Sequence, residues 1–143
     1  MKNLITIIVL LVCAYIGWGQ FNRSDDSVAF TNQNDTVLSS ALKERISGVQ
    51  AEGNGIVIKI LSDDEVGSRH QRFILKLHSG QTLLIAHNID LAPRLSTLRE
   101  GDVVAFSGVY EWNSKGGVIH WTHLDPNGHH EAGWLKHNGR IYQ

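Results

Sequence analysis

Four of the eight histidines in this chain lie within one short stretch, 120–130, which reads HWTHLDPNGHH. A tryptophan and an aspartate stand among them. Imidazole is the commonest metal ligand in proteins and the side chain best suited to proton transfer near neutral pH. The sequence therefore predicts chemistry here, either metal binding or acid–base catalysis.

A metal site needs three or four ligands that converge on one point. His120 and His123 are three residues apart, and a regular strand would place them on opposite faces. His123 and Asp125 share a face, and the turn signal DPNG that begins at Asp125 can fold His129 back towards them. We predict His123, Asp125 and His129 as ligands of zinc or another divalent ion, with His120 a weaker fourth. The alternative is that Asp125 caps the turn and the histidines are solvated or bonded to backbone.

The acid–base prediction rests on Glu111 and His120. Glu111 stands near the end of a predicted strand, and the next strand returns alongside it. Glu111 is therefore expected to come close to His120 or Trp121 across the ladder, and a carboxylate beside an imidazole forms an acid–base or orienting pair. The alternative is an ordinary surface ion pair.

A third possibility is ligand binding without chemistry, for which we select Arg72, His87, Arg94 and Trp112. Arg72 lies on the face of its strand opposite the apolar residues, and His87 ends the next strand. Trp112, Trp121 and Trp134 are candidate stacking platforms for sugars or bases. The alternatives are that the tryptophans pack against the barrel and that Arg94 pairs with a carboxylate.

The elements that must position these residues form a mainly β pattern. Residues from 35 to near Gly48 have apolar side chains at helical spacing. Alternation with a period of two then predicts five strands, at 56–61, 70–78, 81–87, 103–112 and 117–123. Residues 88–98 carry leucines at helical spacing with a proline that suits a first turn. A last hairpin is expected around Asn138-Gly139.

Three strands, a short helix and two strands are the order of an OB-fold, a five-stranded Greek-key barrel. We therefore predict an OB-like barrel with a helix between strands three and four, preceded by an N-terminal helix. An SH3-like barrel is the alternative.

The N-terminus has the pattern of a targeting segment. Lys2 precedes an apolar run from Leu4 to Ile16, which is shorter than the roughly 20 residues of a spanning helix and fits the core of a signal peptide. We predict a signal peptide or membrane anchor at 1–19, a flexible linker at 20–34 and the barrel domain at 35–143. The domain is then exported, either free in the periplasm or anchored in the inner membrane and facing the periplasm, with membrane contact only through this segment.

Charge and composition exclude some functions. The formal net charge is −1, so a general nucleic-acid binder, which would need a basic stripe, is disfavoured. The one cysteine, Cys13, lies in the targeting segment, so the predicted domain has neither a disulfide nor a thiol nucleophile.

Three segments resemble a family of small exported bacterial proteins of unknown function that carry an HWTH motif. They are SGQTLLIAHNID at 79–90, YEWN at 110–113 and GGVIHWTH at 116–123, and the resemblance covers roughly residues 50–143. The resemblance implies export and a domain boundary, and it implies no reaction. Taken together, the sequence predicts an exported envelope module that binds an unidentified ligand or protein, with metal binding as a further expectation. The alternative is a metal-dependent hydrolase or phosphodiesterase that uses the histidine-rich segment.

Overall fold

The computed structural model describes residues 36–143. The predicted signal peptide or anchor at 1–19 and the predicted linker at 20–34 lie outside the described residues. Within 36–143, no helix has the length and apolar character needed to cross a membrane.

The described chain begins with one helix and continues through seven strands. The helix, α1, covers 36–44, and the strands are β1 (Val49–Ile60), β2 (His70–Leu77), β3 (Thr82–Asn88), β4 (Val103–Glu111), β5 (Val118–His120), β6 (Trp134–His137) and β7 (Arg140–Tyr142). The helix ends earlier than its apolar pattern predicted, because Arg45 and Gly48 both adopt positive φ angles, 58° and 76°. The N–H of Gly48 then donates to the carbonyl oxygen of Tyr110 in β4. This hydrogen bond joins the residue before β1 to the sheet.

Strands β1 to β5 close into a barrel. Their order is β1-β2-β3-β5-β4, and β4 pairs back onto β1 over the whole stretch from Val49 to Ile56. Strands β3 and β5 run parallel, and the other neighbours run antiparallel. The prediction of a mainly β protein with a closed five-stranded barrel is confirmed.

The β6–β7 hairpin extends the same sheet. Strand β5 pairs with residues 109–111 of β4, and β6 pairs with residues 104–107 further along it. The pairing within the hairpin, Leu135 with Tyr142 and Lys136 with Ile141, is the one predicted from the Asn138-Gly139 turn. The hairpin thus covers the part of β4 that the short β5 leaves free.

The core lies inside the barrel and is built by alternate residues of each strand. Phe73 and Leu75 of β2 and Leu83 and Ile85 of β3 are almost fully buried. Their neighbours along the strands, such as Arg72, point to the other face and remain partly exposed. This alternation fixes which residues can meet a ligand on the outside of the sheet.

The helix predicted at 88–98 is wrong, since this segment contains turns and bends and no helix. Two side chains from the barrel use the backbone groups that a helix would pair. The Gln71 amide donates to the carbonyl of Leu95 and accepts its N–H, at 3.1 and 2.9 Å. The carbonyl of Pro93 lies 3.1 Å from Nε2 of His87. Tertiary hydrogen bonds therefore replace helical ones here.

Replacing Gln71 with leucine should destabilise the protein by about 2 kcal/mol. Gln71 is buried, and the substitution leaves both the N–H and the carbonyl of Leu95 without partners. Urea unfolding measures the loss, and Gln81→Leu on the half-exposed β2–β3 turn is the control. Equal stability of the two variants would show that the Gln71 amide does not hold this loop.

Candidate functional site

The HWTH segment, residues 120–123, lies at the point where β5 leaves the sheet. The strand was predicted to reach His123 but ends at His120, because Trp121 adopts a φ of 54°. A bulky residue in the left-handed region is strained and persists only where the surroundings impose it.

Two glycines allow the backbone of this segment to pack closely. A Cβ on Gly108 would lie 2.5 Å from the carbonyl oxygen of His120, and one on Gly133 would lie 1.9 Å from that of Trp121. Residues 120–122 are thus pressed against the backbone of β4 on one side and of the chain entering β6 on the other. The HWTH backbone is therefore held by close contacts with two glycines, and any side chain at either glycine would clash with it.

His120 and Glu111 meet on the outside of the barrel, as the sequence predicted. The register places His120 opposite Val109 and Glu111 opposite Val118, so the two are diagonal neighbours. Nε2 of His120 lies 3.5 Å from Oε1 of Glu111, and the side chains are 32% and 43% exposed. This distance is longer than an N–H···O hydrogen bond, and Nε2 of His120 is a buried atom without a hydrogen-bond partner.

Burial lowers the pKa of His120 below its ordinary value, and the nearby carboxylate of Glu111 opposes that shift. The ring is therefore mainly neutral at pH 7. A neutral imidazole beside a carboxylate can accept a proton from a bound group or hold a hydroxyl between the two side chains.

Other residues of β2 and β3 extend this surface. The parallel register pairs Leu84 with Val118, so Ala86 lies next to His120, and Ala86 in turn pairs with Arg72. His70 also points outwards, and its Nδ1 is 2.7 Å from the carbonyl oxygen of Ser68. We call the surface formed by His70, Arg72, Ala86, Glu111 and His120 the His120 face. Ala86 is its smallest side chain and lies between larger polar ones.

Trp121 borders the His120 face and packs among histidines. Its ring stacks on that of His130, with centroids 4.0 Å apart and planes 30° apart, and it contacts His120 and His123 at 6.1 and 5.4 Å. The ring is partly buried.

His87, predicted as a ligand-binding residue, lies inside the barrel and not on a binding surface. It is 0% exposed, its Nδ1 is 2.8 Å from Oγ1 of Thr122, and its Nε2 faces the carbonyl of Pro93. A carbonyl can only accept, so Nε2 carries the proton and Nδ1 accepts from the Thr122 hydroxyl. The alternation along β3 explains the position, because His87 shares the inward face with Leu83 and Ile85.

The predicted metal trio does not form a cluster. Asp125 accepts backbone N–H groups from Asn127, His129 and His130, so its carboxylate closes the turn and its pKa is lowered, first by Asn127. His123 is buried with Nδ1 2.6 Å from the carbonyl oxygen of Leu124, while His129 is exposed. Over residues 36–143 there is no group of three or more His, Cys, Asp or Glu side chains placed to hold a metal ion.

Two further candidates are engaged elsewhere. Arg94 pairs with Asp63 through its Nη1. Pairing with a carboxylate is the alternative to ligand binding that was stated for Arg94. Trp112 packs against the core and lies under the guanidinium of Arg45, 5.1 Å from the ring centre. Of the four predicted ligand-binding residues, only Arg72 lies on the outer face of the same strands, with β3 between it and the strand of His120, and its Nε donates to the carbonyl oxygen of Ser62 at 3.0 Å.

One buried polar pair was missed by the sequence reading. His137 of β6 points inwards, and its Nε2 is 2.8 Å from Oδ2 of Asp102. Nδ1 of His137 is buried without a partner. The backbone N–H of Arg99, followed by His137, lowers the pKa of Asp102. The inward position of His137 could have been predicted from the hairpin, because strand alternation puts His137 on the same face as Leu135 and opposite Lys136.

Comparison with known families gives one match. Residues 24–143 match a family described as "Protein of unknown function (DUF3465)". No curated protein matches the chain.

Proposed function

This chain belongs to the DUF3465 family, whose function is unknown, and we propose that its barrel is a binding module that holds a hydroxyl-rich ligand, a glycan, on the His120 face. One observation carries the proposal. Nε2 of His120 lacks a hydrogen bond and lies 3.5 Å from Oε1 of Glu111; because Nε2 itself is covered, the 43% exposed side chain of Glu111 must turn aside before a ligand group can bond to both residues.

A sugar hydroxyl meets the needs of this pair because it donates and accepts at once. The sugar hydroxyl can donate a hydrogen bond to the carboxylate of Glu111 and at the same time form a hydrogen bond with the ring of His120. His70 supports the same class of ligand. Its Nδ1–H donates to the carbonyl oxygen of Ser68, so Nε2 remains as a further acceptor for hydroxyl protons. The apolar face of a sugar ring has Trp121 as a neighbouring aromatic surface.

Charge argues against the other large classes of ligand. Glu111, on the β4 side of the face, disfavours an anion next to His120, and the formal net charge of −1 gives the chain no general attraction for nucleic acid. The predicted export of the domain, read from the apolar run at its N-terminus, would bring it among the glycans of the envelope. We therefore propose a periplasmic or membrane-anchored module.

The test is a titration of the isotope-labelled full chain with chitotetraose, followed by amide chemical shifts. We expect saturable shifts centred on Ala86, Glu111 and His120. His120→Ala and Glu111→Ala should each weaken binding at least about 10-fold, the scale of one lost charge-assisted hydrogen bond. His129→Ala, in the exposed turn, should bind as the unchanged chain does. Absence of saturable shifts, or equal binding by all the variants, would contradict the proposal.

A second candidate function is hydrolysis of such a ligand, favoured by the same carboxylate–imidazole contact. His120 would take a proton from a water molecule as that water bonds to the anomeric carbon and the bond to the leaving sugar oxygen breaks, and the imidazolium, oriented by Glu111, would return the proton to the leaving oxygen. Prolonged incubation with chitotetraose and mass spectrometry of the products separate the two functions. Cleavage that is lost in Glu111→Gln while binding remains would establish an enzyme, and intact sugar with saturable binding would establish the module alone.

A further inference from the structure

A cavity of about 480 Å³ opens between α1 and the turn that joins β2 to β3. It lies away from the His120 face and involves none of its residues. Its volume falls within the range of small-molecule sites, about 300–1,000 Å³. We infer that this cavity binds an amphiphilic carboxylate, a molecule with an acidic head and an apolar tail.

The floor of the cavity is apolar. Leu38 is 2% exposed and belongs to the core, and Leu42 and Leu77 are partly buried and packed against it. These three side chains come from the helix and from the end of β2, so they form a continuous surface under the opening. An alkyl chain placed on them would be removed from water at a gain of about 0.8 kcal/mol for each buried CH₂ group.

The rim is polar and carries a positive charge. Lys43 and His78 lie on it together with serine, asparagine and glutamine side chains, and no carboxylate is found among the described residues that line the cavity. Over 36–143, Lys43 forms neither an ion pair nor a hydrogen bond through its ammonium group. An unpaired cation above an apolar floor complements an anionic head on an apolar tail and disfavours a cationic one.

The site is independent of the proposed glycan surface, so each can fail without the other. The His120 face is built by other residues of β2 and by β3, β4 and β5, whereas the cavity is lined by α1, Asn54 of β1, Leu77 at the end of β2 and the β2–β3 turn. A probe for one should therefore leave the amide shifts of the other unchanged.

The experiment is a titration of the labelled full chain with decanoate below its micelle concentration, followed by amide shifts. We expect saturable shifts at Leu42, Lys43 and His78. Lys43→Gln should weaken binding at least about fivefold, while Lys76→Gln, an exposed lysine on the outer face of β2, should not. Decyltrimethylammonium, with a matched tail and opposite charge, should not displace decanoate.

A blocking variant tests the location of the site independently of the charge on Lys43. Ser39 is exposed on α1 at the cavity, so Ser39→Trp should fill the opening without disturbing the core, and it should abolish the decanoate shifts. Equal binding by Lys43→Gln and Lys76→Gln, displacement by decyltrimethylammonium, or unchanged binding by a folded Ser39→Trp would overturn the inference.

Discussion

Gly133→Ala should lower the free energy of unfolding by more than about 3 kcal/mol, the largest effect of a single methyl group that we expect in the barrel. A Cβ at this position would lie 1.9 Å from the carbonyl oxygen of Trp121 and 2.7 Å from that of Ser107. Both neighbours are backbone atoms, so neither can rotate away. The strand entry at β6 or the HWTH segment must move, and the 3.0 Å hydrogen bond from the N–H of Gly133 to the carbonyl of His123 should be lost with it.

Urea unfolding of the full chain followed by tryptophan fluorescence measures this loss. Gly128→Asn is the control, because a Cβ there meets nothing within 4 Å and asparagine tolerates the positive φ of 67°. It should cost less than about 1 kcal/mol. If Gly133→Ala were as stable as Gly128→Asn, the close packing of the HWTH backbone would not be a requirement of the fold.

Acidification from pH 6.5 to 4 should remove about 3 kcal/mol of stability through His87 alone. Burial lowers its pKa to about 4, and the hydrogen bond to Pro93 opposes this only in part. The unfolded chain takes up a proton at this histidine near pH 6.5, while the folded chain does not until about pH 4. Because the unfolded state binds more protons across this window, stability falls as pH falls, and below pH 4 His87 adds no further loss.

The measurement is urea unfolding at half-unit steps of pH, compared with His87→Gln, whose amide can keep both hydrogen bonds but does not titrate. The variant should show a flatter profile between pH 6.5 and 4. Asp90, Asp102 and Asp125 do not obscure the comparison, because their pKa values lie below the ordinary 3.8 and their contributions are lost at still lower pH. Identical slopes for the two proteins would show that His87 is not the acid-sensitive group.

Periodicity predicted most of the barrel because it reflects local burial. The outward position of Arg72 and the inward position of Phe73 follow from alternation within β2, and the β6–β7 register follows from Asn138-Gly139. The 88–98 segment could not be predicted in this way. Its leucines have helical spacing, but the hydrogen bonds that decide its path come from Gln71 and His87, which lie in other strands.

In the candidate site too, local strand patterns predicted some positions and residues distant in sequence decided others. Glu111 and His120 meet because antiparallel neighbours on one face must be close, and this needed only the order of two adjacent strands. The strand ends before Trp121 because of residues distant in sequence: Gly108 and Gly133 pack closely against the backbone of residues 120 and 121. His87 turns inwards to Thr122 and Pro93, whose positions depend on the finished fold, whereas the carboxylate of Asp125 accepts N–H groups of its own turn, as the alternative interpretation of the sequence had it.

The ladder between β1 and β4 also determines how the protein reaches its native state. It joins residues as far apart as Val49 and Tyr110, so its loop-closure entropy must be overcome before the pairing stabilises anything. Domains dominated by such nonlocal pairing fold on the order of milliseconds to seconds. Until β4 arrives, β1 presents an unpaired edge beside Ile56 and Ile58, which stay 50% and 43% exposed even in the finished barrel. Aggregation during folding should therefore start at β1, and conditions that slow chain–chain encounters, such as low concentration during refolding, should raise the yield of native protein.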